Sequence, residues 1–307
     1  MRGKRLVDFS VYLVVRLFVC IVQAVPLDTC HAICRWLARL ATDFVKLRRD
    51  VLEDNLRHAF PNLTDRERRK LIMRMWEHLF LMVVEIAHTP RKIHDTNWRD
   101  YFHFRNGPLA SQLFFDGRPA VIVSGHYGNF ELGAHLFGIF HFRTWSIARN
   151  LDNPYLHRWI NEFRSSKGQY IVPKEGAAEI ANKVLEAGGT LSVLADQHAG
   201  AKACWVDFFG RPASTHKAIA LFSLAHNAPL AVMYSRRLGK PLCYEMTVEA
   251  VADPLRPGDP TGNVRELTQW YTSKLEEIIR RAPEQYWWVH RRWKDPHLAP
   301  QTRKKAA

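Results

Sequence analysis

With 307 residues, 47% of them hydrophobic, the chain can bury a sizeable core in one large domain or two modest ones, which excludes a disordered protein. Its 44 Lys and Arg against 30 Asp and Glu leave a net charge of +14, suited to an anionic partner such as a phospholipid surface, a nucleic acid or an acidic protein. The five cysteines (Cys20, Cys30, Cys34, Cys204, Cys243) are odd in number and form no C-x-x-C pair, so they signal neither a disulfide framework nor a zinc ribbon and read as reduced thiols.

From the N-terminus, Arg2, Lys4 and Arg5 precede an apolar stretch from Phe9 to Leu27, interrupted by the single charge Arg16. Its length is borderline for a membrane span, which needs about 20 apolar residues. Val22-Gln23-Ala24 offers a signal-peptidase site, but Arg16 inside the apolar region and the odd cysteine count favour an uncleaved anchor helix over residues 1–28. Cys30, His31 and Cys34 lie in an apolar helical stretch without a second ligand pair, and packing explains them better than a metal does.

Residues 29–106 read as a helical region packed on the core. Trp36, Leu37, Leu40 and Phe44 recur at helical spacing, as do Leu71, Met75, Leu79 and Met82. Pro61 ends one helix, and Thr64 with Glu67 forms a capping box for the next. From 107 to 298 short β-rich runs alternate with helical ones. The expected strands are Ala120 to Val123, Thr144 to Ile147, Tyr170 to Val172, Thr190 to Leu194, Leu230 to Tyr234 and Tyr244 to Val251. The expected helices are Glu131 to Phe140, Pro154 to Phe163, Ala177 to Ala187 and Thr215 to Ala225. This alternation predicts an α/β fold with a mostly parallel, mixed sheet flanked by helices. A short basic tail, 299–307, closes the chain.

The most informative segment runs from Pro119 to Gly133, where an apolar strand ends in Ser124-Gly125 and His126 stands before a helix. Ligands of α/β sheets bind at the carboxyl ends of strands. On a regular helix His126 and Glu131 would lie about 140° apart, given ~100° per residue. His126 must therefore precede the helix if it is to meet Glu131 in its first turn, and Gly125 and Gly128 give the turn its freedom. A histidine with a carboxylate partner suits general-base work on an alcohol, whereas a buried histidine bonded to a capping glutamate is the plain alternative. Asp196-Gln197 follows the apolar run Leu191 to Ala195 and brings another carboxylate to a strand end. Arg164, at the end of a helix, reads as a surface charge or as a cation for an oxyanion.

Phe208-Phe209-Gly210-Arg211-Pro212 reads as an aromatic turn before a helix start, able to wall an acyl groove. The segment Gln285 to Lys294 mixes Tyr286, Trp287, Trp288 and Trp293 with His290, Arg291 and Arg292, a mixture that suits a membrane interface or a base-stacking surface. There is no G-x-S-x-G elbow, so Ser124 makes a poor hydrolase nucleophile.

Taken together these residues resemble the lipid A biosynthesis lauroyl/myristoyl acyltransferase family, within the wider glycerolipid acyltransferase superfamily. The resemblance rests on Asn55-Leu-Arg-His-Ala-Phe60-Pro61, Gly125-His126-x4-Glu131, Asn153-Pro154 with Arg164, Ala195-Asp196-Gln197, Phe208-Phe209-Gly210-x-Pro212-x-x-Thr215, and Glu284 through Lys294. It implies an N-terminal helix that spans or lies in the membrane, and a glycerolipid acyltransferase-like core at the cytoplasmic face of the cell inner membrane. It implies an acyl thioester of acyl carrier protein or coenzyme A as co-substrate, with no cofactor and no metal.

By position the resemblance makes His126 the base and Glu131 its partner. Arg164, with Arg149 and Arg158 as neighbouring alternatives, would position the thioester or steady its oxyanion, and Asp196 would stand in the same site. Asn129, Gln197, Phe208, Phe209 and Gly210 would serve the acyl groove or substrate. The expected partners are an anionic lipid acceptor, acyl carrier protein and the membrane, and no nucleic acid. A related acyltransferase for an ornithine lipid or a phosphoinositide mannoside carries the same motif. A basic protein that only binds membranes or nucleic acid is the reading from another class.

Overall fold

The computed structural model describes residues 2–165, 168–200 and 203–294. The basic tail expected at 299–307 lies outside them.

Helix α1 (Arg2–Ala24) carries the apolar N-terminal stretch, and nearly all of it from Lys4 to Ala24 is uncovered by the rest of the chain. Its main contacts are with α4 (Asp65–Lys92) and α7 (Pro154–Ser165), and Val22 packs against Cys30 and Cys34. Phe9 and Tyr12 meet Tyr155 and Trp159 of α7, Arg16 stacks on Trp159, and Asn153 Nδ2 donates to the Asp8 carbonyl at 2.8 Å. Arg16, though exposed, thus finds aromatic faces for its guanidinium.

Helix α2 (Leu27–Arg39) packs along α4 and passes into a single π-helical turn, Leu40–Phe44. The buried stripe is Cys30, Cys34, Ala38 and Ala41, one step round from the expected stripe: Trp36 and Phe44 face outward. His31 bonds Glu77 at 2.8 Å, which accounts for it without a metal. Helix α3 (Arg49–Ala59) ends before Pro61, and α4 opens with the expected capping box, the Thr64 side chain taking the Glu67 amide.

The core is a seven-stranded sheet. Its strands are β1 (Phe102–Arg105), β2 (Ala120–Ser124), β3 (Thr144–Ala148), β4 (Gln169–Pro173), β5 (Thr190–Leu194), β8 (Leu230–Arg237) and β9 (Tyr244–Ala252), in the order β1-β9-β8-β2-β5-β3-β4. All neighbours are parallel except β8 and β9, so β9 and β1 run against the other five. Between the strands lie α5 (Gly107–Phe115), α6 (Phe130–Ile139), α7, α8 (Ala177–Glu186) and α9 (Ala218–Ala225), with α10 (Val264–Arg281) after β9. Along β2, Val121 and Val123 enter one apolar core with α3, α4, α8, α9 and α10, while Ala120 and Ile122 enter a second with α5 and α6. Burial on both faces is why β2 reads as an unbroken apolar run.

Three further expectations need correction. Residues 29–106, expected to be helical throughout, end in β1, which pairs with β9 at the edge of the core sheet. Residues 204–215 form a hairpin of β6 (Cys204–Phe208) and β7 (Arg211–Thr215), and the following helix starts only at Ala218. Phe209 and Gly210, both at positive φ (56° and 75°), are its two turn residues, which is the backbone a type I′ turn demands. The segment Gln285 to Trp293 is no surface patch. Tyr286, Trp288, Arg292 and Trp293 are buried beneath the hairpin and α3. It forms a strap across the carboxyl ends of the central strands, tied by Trp287 N to His126 O at 3.0 Å and Gly128 N to Gln285 O at 2.9 Å.

Candidate active site

Parallel pairing brings the two halves of the site together. Ser124 of β2 stands opposite Leu194 of β5, so the residues two steps further on, His126 and Asp196, leave adjacent strand ends side by side. Asp196 is buried and grips its neighbour twice, taking the His126 amide at Oδ2 (2.8 Å) and His126 Nδ1 at Oδ1 (2.8 Å). Since a carboxylate only accepts, Nδ1 carries the hydrogen and Nε2 is the basic nitrogen. The imidazole is set edge-on to Phe130 and Trp287, each with a centroid 5.1 Å away. Burial alone would lower the His126 pKa, but the charge and hydrogen bond of Asp196, with the charge of Glu131, outweigh it and leave it raised. Burial likewise acts to raise Asp196, and His126 and Arg292 bring it below its usual value.

Glu131 sits in the first turn of α6, as its spacing requires, yet the expected His126–Glu131 bond is replaced. Glu131 takes Arg164 in a fork, Nε to Oε2 at 3.0 Å and Nη2 to Oε1, while Asp196 holds the imidazole. The physical reason is geometric. The turn at Gly125 to Asn129 carries His126 toward the end of β5, whereas Glu131 faces α7, whose last turn presents Arg164. Arg149 pairs with Asp152 at the surface and Arg158 is exposed, so of the three arginines Arg164 meets the site.

The turn is held rigidly. Gly128 has φ +60°, and a Cβ there would stand 1.8 Å from the Ser235 carbonyl oxygen, so only glycine fits. Its carbonyl faces His78 Nε2 at 3.1 Å, and His78 Nδ1 lies 2.7 Å from Arg237 Nη1. Arginine can only donate, so Nδ1 accepts and Nε2–H donates to Gly128. Burial and the Arg237 charge hold His78 neutral, well below its ordinary pKa. Arg237 is paired in turn with Glu85, Nε to Oε1 at 2.8 Å, and Glu85 also takes the Leu242 amide at 2.8 Å and the Tyr244 hydroxyl.

Asn129, expected to touch substrate, belongs to this buried support. It caps α6 by accepting from Leu132 N at 3.2 Å, and its amide faces Tyr244 Oη at 3.3 Å. Phe208, Phe209 and Gly210 also depart from expectation. The two rings pack on Trp288 and Trp293 in the core, and none of the three lines the cavities around His126 or Glu131. Gln197 does reach the site, its Nε2 lying 3.4 Å from His126 Nε2.

Two cavities flank the strand ends. One, of about 190 Å3, is lined by His126, Asp196, Gln197, Arg48, Trp287, Val289 and His290. The other lies under α6 beside Glu131 and Arg164, in space left by Gly133, Ala134, Ser146, Ala148 and Ser192. It shares Phe137, Met233 and Met246 with a third cavity of about 310 Å3, walled by Trp98, Phe104, Phe114 and Phe140. Arg48 and His290 escaped the sequence reading. Arg48 has no local signal, and His290 lay within a segment read for its aromatics and charge.

Residues 3–295 match the family described as bacterial lipid A biosynthesis acyltransferase. The chain belongs to this family. A lipid A biosynthesis lauroyltransferase of Escherichia coli (strain K12) is 26% identical over 286 residues, covering 89% of this chain and 88% of that protein. A lipid A biosynthesis palmitoleoyltransferase of the same organism is 25% identical over 267 residues, covering 84% and 82%. The crystal structure of a 1-acyl-sn-glycerophosphate acyltransferase from Thermotoga maritima aligns with 86% of this chain and all of that one, at a TM-score of 0.41 and 13% identity. As a member of the lipid A acyltransferase family the chain is a lipid acyltransferase.

Proposed function

We propose that this acyltransferase moves a fatty acyl chain from the thioester of acyl carrier protein or coenzyme A to a hydroxyl of a lipid A precursor or related glycolipid, with His126 as general base. The carrying observation is the His126–Asp196 pair at 2.8 Å, which leaves Nε2 as the free basic nitrogen at a cavity. Nε2 takes the hydroxyl proton while the oxygen forms its bond to the thioester carbon. The C–S bond then breaks, and the imidazolium returns the proton to the departing thiolate. Asp196 stabilises the imidazolium between the two steps. The acyl chain occupies the small-residue cavity under α6 and its aromatic extension. Glu131 and Arg164 line that cavity, where their ion pair positions the donor.

The catalytic face meets the cytoplasmic side of the inner membrane with α1 as anchor, and the excess positive charge favours anionic lipid and acidic carrier protein alike. Burial of the aromatic and cationic strap counts against a nucleic-acid surface. The test incubates membranes holding wild type or His126→Ala with labelled acyl-acyl carrier protein and a tetra-acylated lipid A precursor, followed by mass spectrometry. One added acyl chain with wild type and none with the variant is the expected result. Slow thioester hydrolysis without transfer means a different acceptor, and a wild type inert towards every thioester overturns the thioester-donor reading.

A further inference from the structure

The strap brings a second imidazole to the catalytic cavity. His290 lines it together with His126, Asp196, Gln197 and Trp287. Its backbone is fixed on both sides: buried Asn55 donates through Nδ2 to the carbonyls of Trp288 (2.7 Å) and His290 (2.8 Å), and Arg48 Nη2 donates to that of Val289 at 2.8 Å. Arg292, two residues on, is anchored to Ser214 O and Thr215 Oγ1, both at 2.6 Å. The ring is fixed as well, because the His198 amide donates to His290 Nε2 at 3.1 Å.

A nitrogen that accepts from an amide carries no hydrogen, so the hydrogen resides on Nδ1. Among the described residues Nδ1 has no hydrogen-bond partner, and it is not among the buried polar atoms without one. Burial, with Arg292, His126 and Lys294 nearby, brings the His290 pKa down to about 4 against the pull of Asp196, so the ring stays neutral at working pH. A neutral imidazole is a donor that does not compete with His126 for a proton.

We propose that His290 is a further catalytic residue, donating its Nδ1 hydrogen to the thioester carbonyl oxygen as that oxygen gains negative charge. The inference rests on the acyl-transfer reading. It supplies the oxyanion donor that Arg164, engaged by Glu131, was expected to be. No proton moves in the step. The hydrogen bond strengthens as the carbonyl becomes tetrahedral and relaxes when the thiolate leaves, which is how such donors lower the barrier.

Three substitutions separate this role from mere support of the strap. In His290→Asn the amide nitrogen stands near the place of Nδ1 and keeps the cavity donor, but the acceptor for His198 is lost. In His290→Gln the amide oxygen reaches the place of Nε2 and keeps that acceptor, but the cavity donor is lost. His290→Ala lacks both. We expect kcat to fall by roughly 10²–10³-fold in the Ala and Gln variants with KM little changed, and the Asn variant to recover most of the loss. The opposite order, Gln near wild type and Asn as poor as Ala, or a rise in KM at unchanged kcat, overturns the proposal.

Ring 15N shifts of selectively labelled histidine, assigned by difference against His290→Gln, report the tautomer whether or not the protein turns over. Hydrogen on Nδ1 is expected, and hydrogen on Nε2 overturns the proposal. A wild type inert towards acyl thioesters alongside an Nδ1–H tautomer instead places the failure in the acyl-transfer reading.

Discussion

At the scale of single residues, two carboxylates near one histidine carry different loads. Asp196 sets the tautomer and contributes charge and hydrogen bonds at 2.8 Å, whereas Glu131 acts on His126 through space, its charge largely answered by Arg164. Both raise the pKa of His126, so the base form is complete only above the ordinary 6.5. The acid limb of kcat/KM should therefore lie above pH 6.5 in wild type. Asp196→Asn removes the larger support, and we expect about a 10²–10⁴-fold loss of kcat, the scale of general-base catalysis, with the remaining activity titrating at lower pH. Glu131→Gln leaves Arg164 unanswered near the base and should also move the limb down, with a smaller loss of rate. Steady-state pH profiles of the three proteins decide it. A limb unmoved in Asp196→Asn contradicts the assignment of the base.

At the scale of elements, the β2–α6 turn is clamped by α4, β8 and the strap, and the polar line from Glu85 through Arg237 and His78 to Gly128 connects helix to turn without exposure to water. Removing one member of a buried ion pair strands the other, at a cost of about 3–5 kcal/mol. Glu85→Ala should lose that much in denaturant melts. Glu85→Leu with Arg237→Met fills the same space without charge and should recover part of the stability, the Leu242 amide and Tyr244 hydroxyl still lacking their acceptor. It also deprives His78 of the donor that fixes its tautomer, so kcat should remain low while the melt recovers. Recovery of both together would mean that the line serves folding alone.

The same elements explain what the sequence revealed. β2 was legible because a strand buried on both faces is a short apolar run between turns, β3 and β5 because Trp145, Ile147, Leu191 and Val193 make β-rich runs between turns, and α4 because its capping box is local chemistry. β1 was missed because Phe102 to Arg105 is an edge strand with three of its four residues exposed, so it shows no apolar run. The β6–β7 hairpin was missed because its turn is Phe209-Gly210, an aromatic where Asn or Asp usually announces a type I′ turn. His126, Asp196 and Arg164 were found as strand-end and helix-end groups, but who bonds whom depends on register between β2 and β5, 70 residues apart in sequence. Burial of the strap was equally hidden, since Trp and Arg side chains suit an interface and a core with satisfied polar groups alike.

At the scale of the whole molecule, apolar exposure gathers in the N-terminal region, in α1 and in Ile33, Trp36, Phe44, Val45 and Leu47. In α1, Leu6, Val7, Leu13, Val14, Leu17, Phe18 and Ile21 are all exposed, and each would gain about 1.5–3 kcal/mol on entering lipid fully. That sum is far beyond what a few surface cations provide at about 1 kcal/mol each. Membrane attachment should therefore be apolar in character and insensitive to salt. Wild type is expected to stay in the membrane pellet through a wash in 1 M salt, and a chain lacking residues 1–24 to move to the soluble fraction or to pellet only at low salt. Release of wild type by salt would shift the attachment to the basic surface. Because the main contacts of α1 among the described residues are with α4, α7 and, through Val22, α2, none of them a strand of the sheet, the shortened chain should keep the fold of the sheet, as circular dichroism would report, and its transfer rate should fall through access to the acceptor, seen as a raised KM at nearly unchanged kcat in detergent.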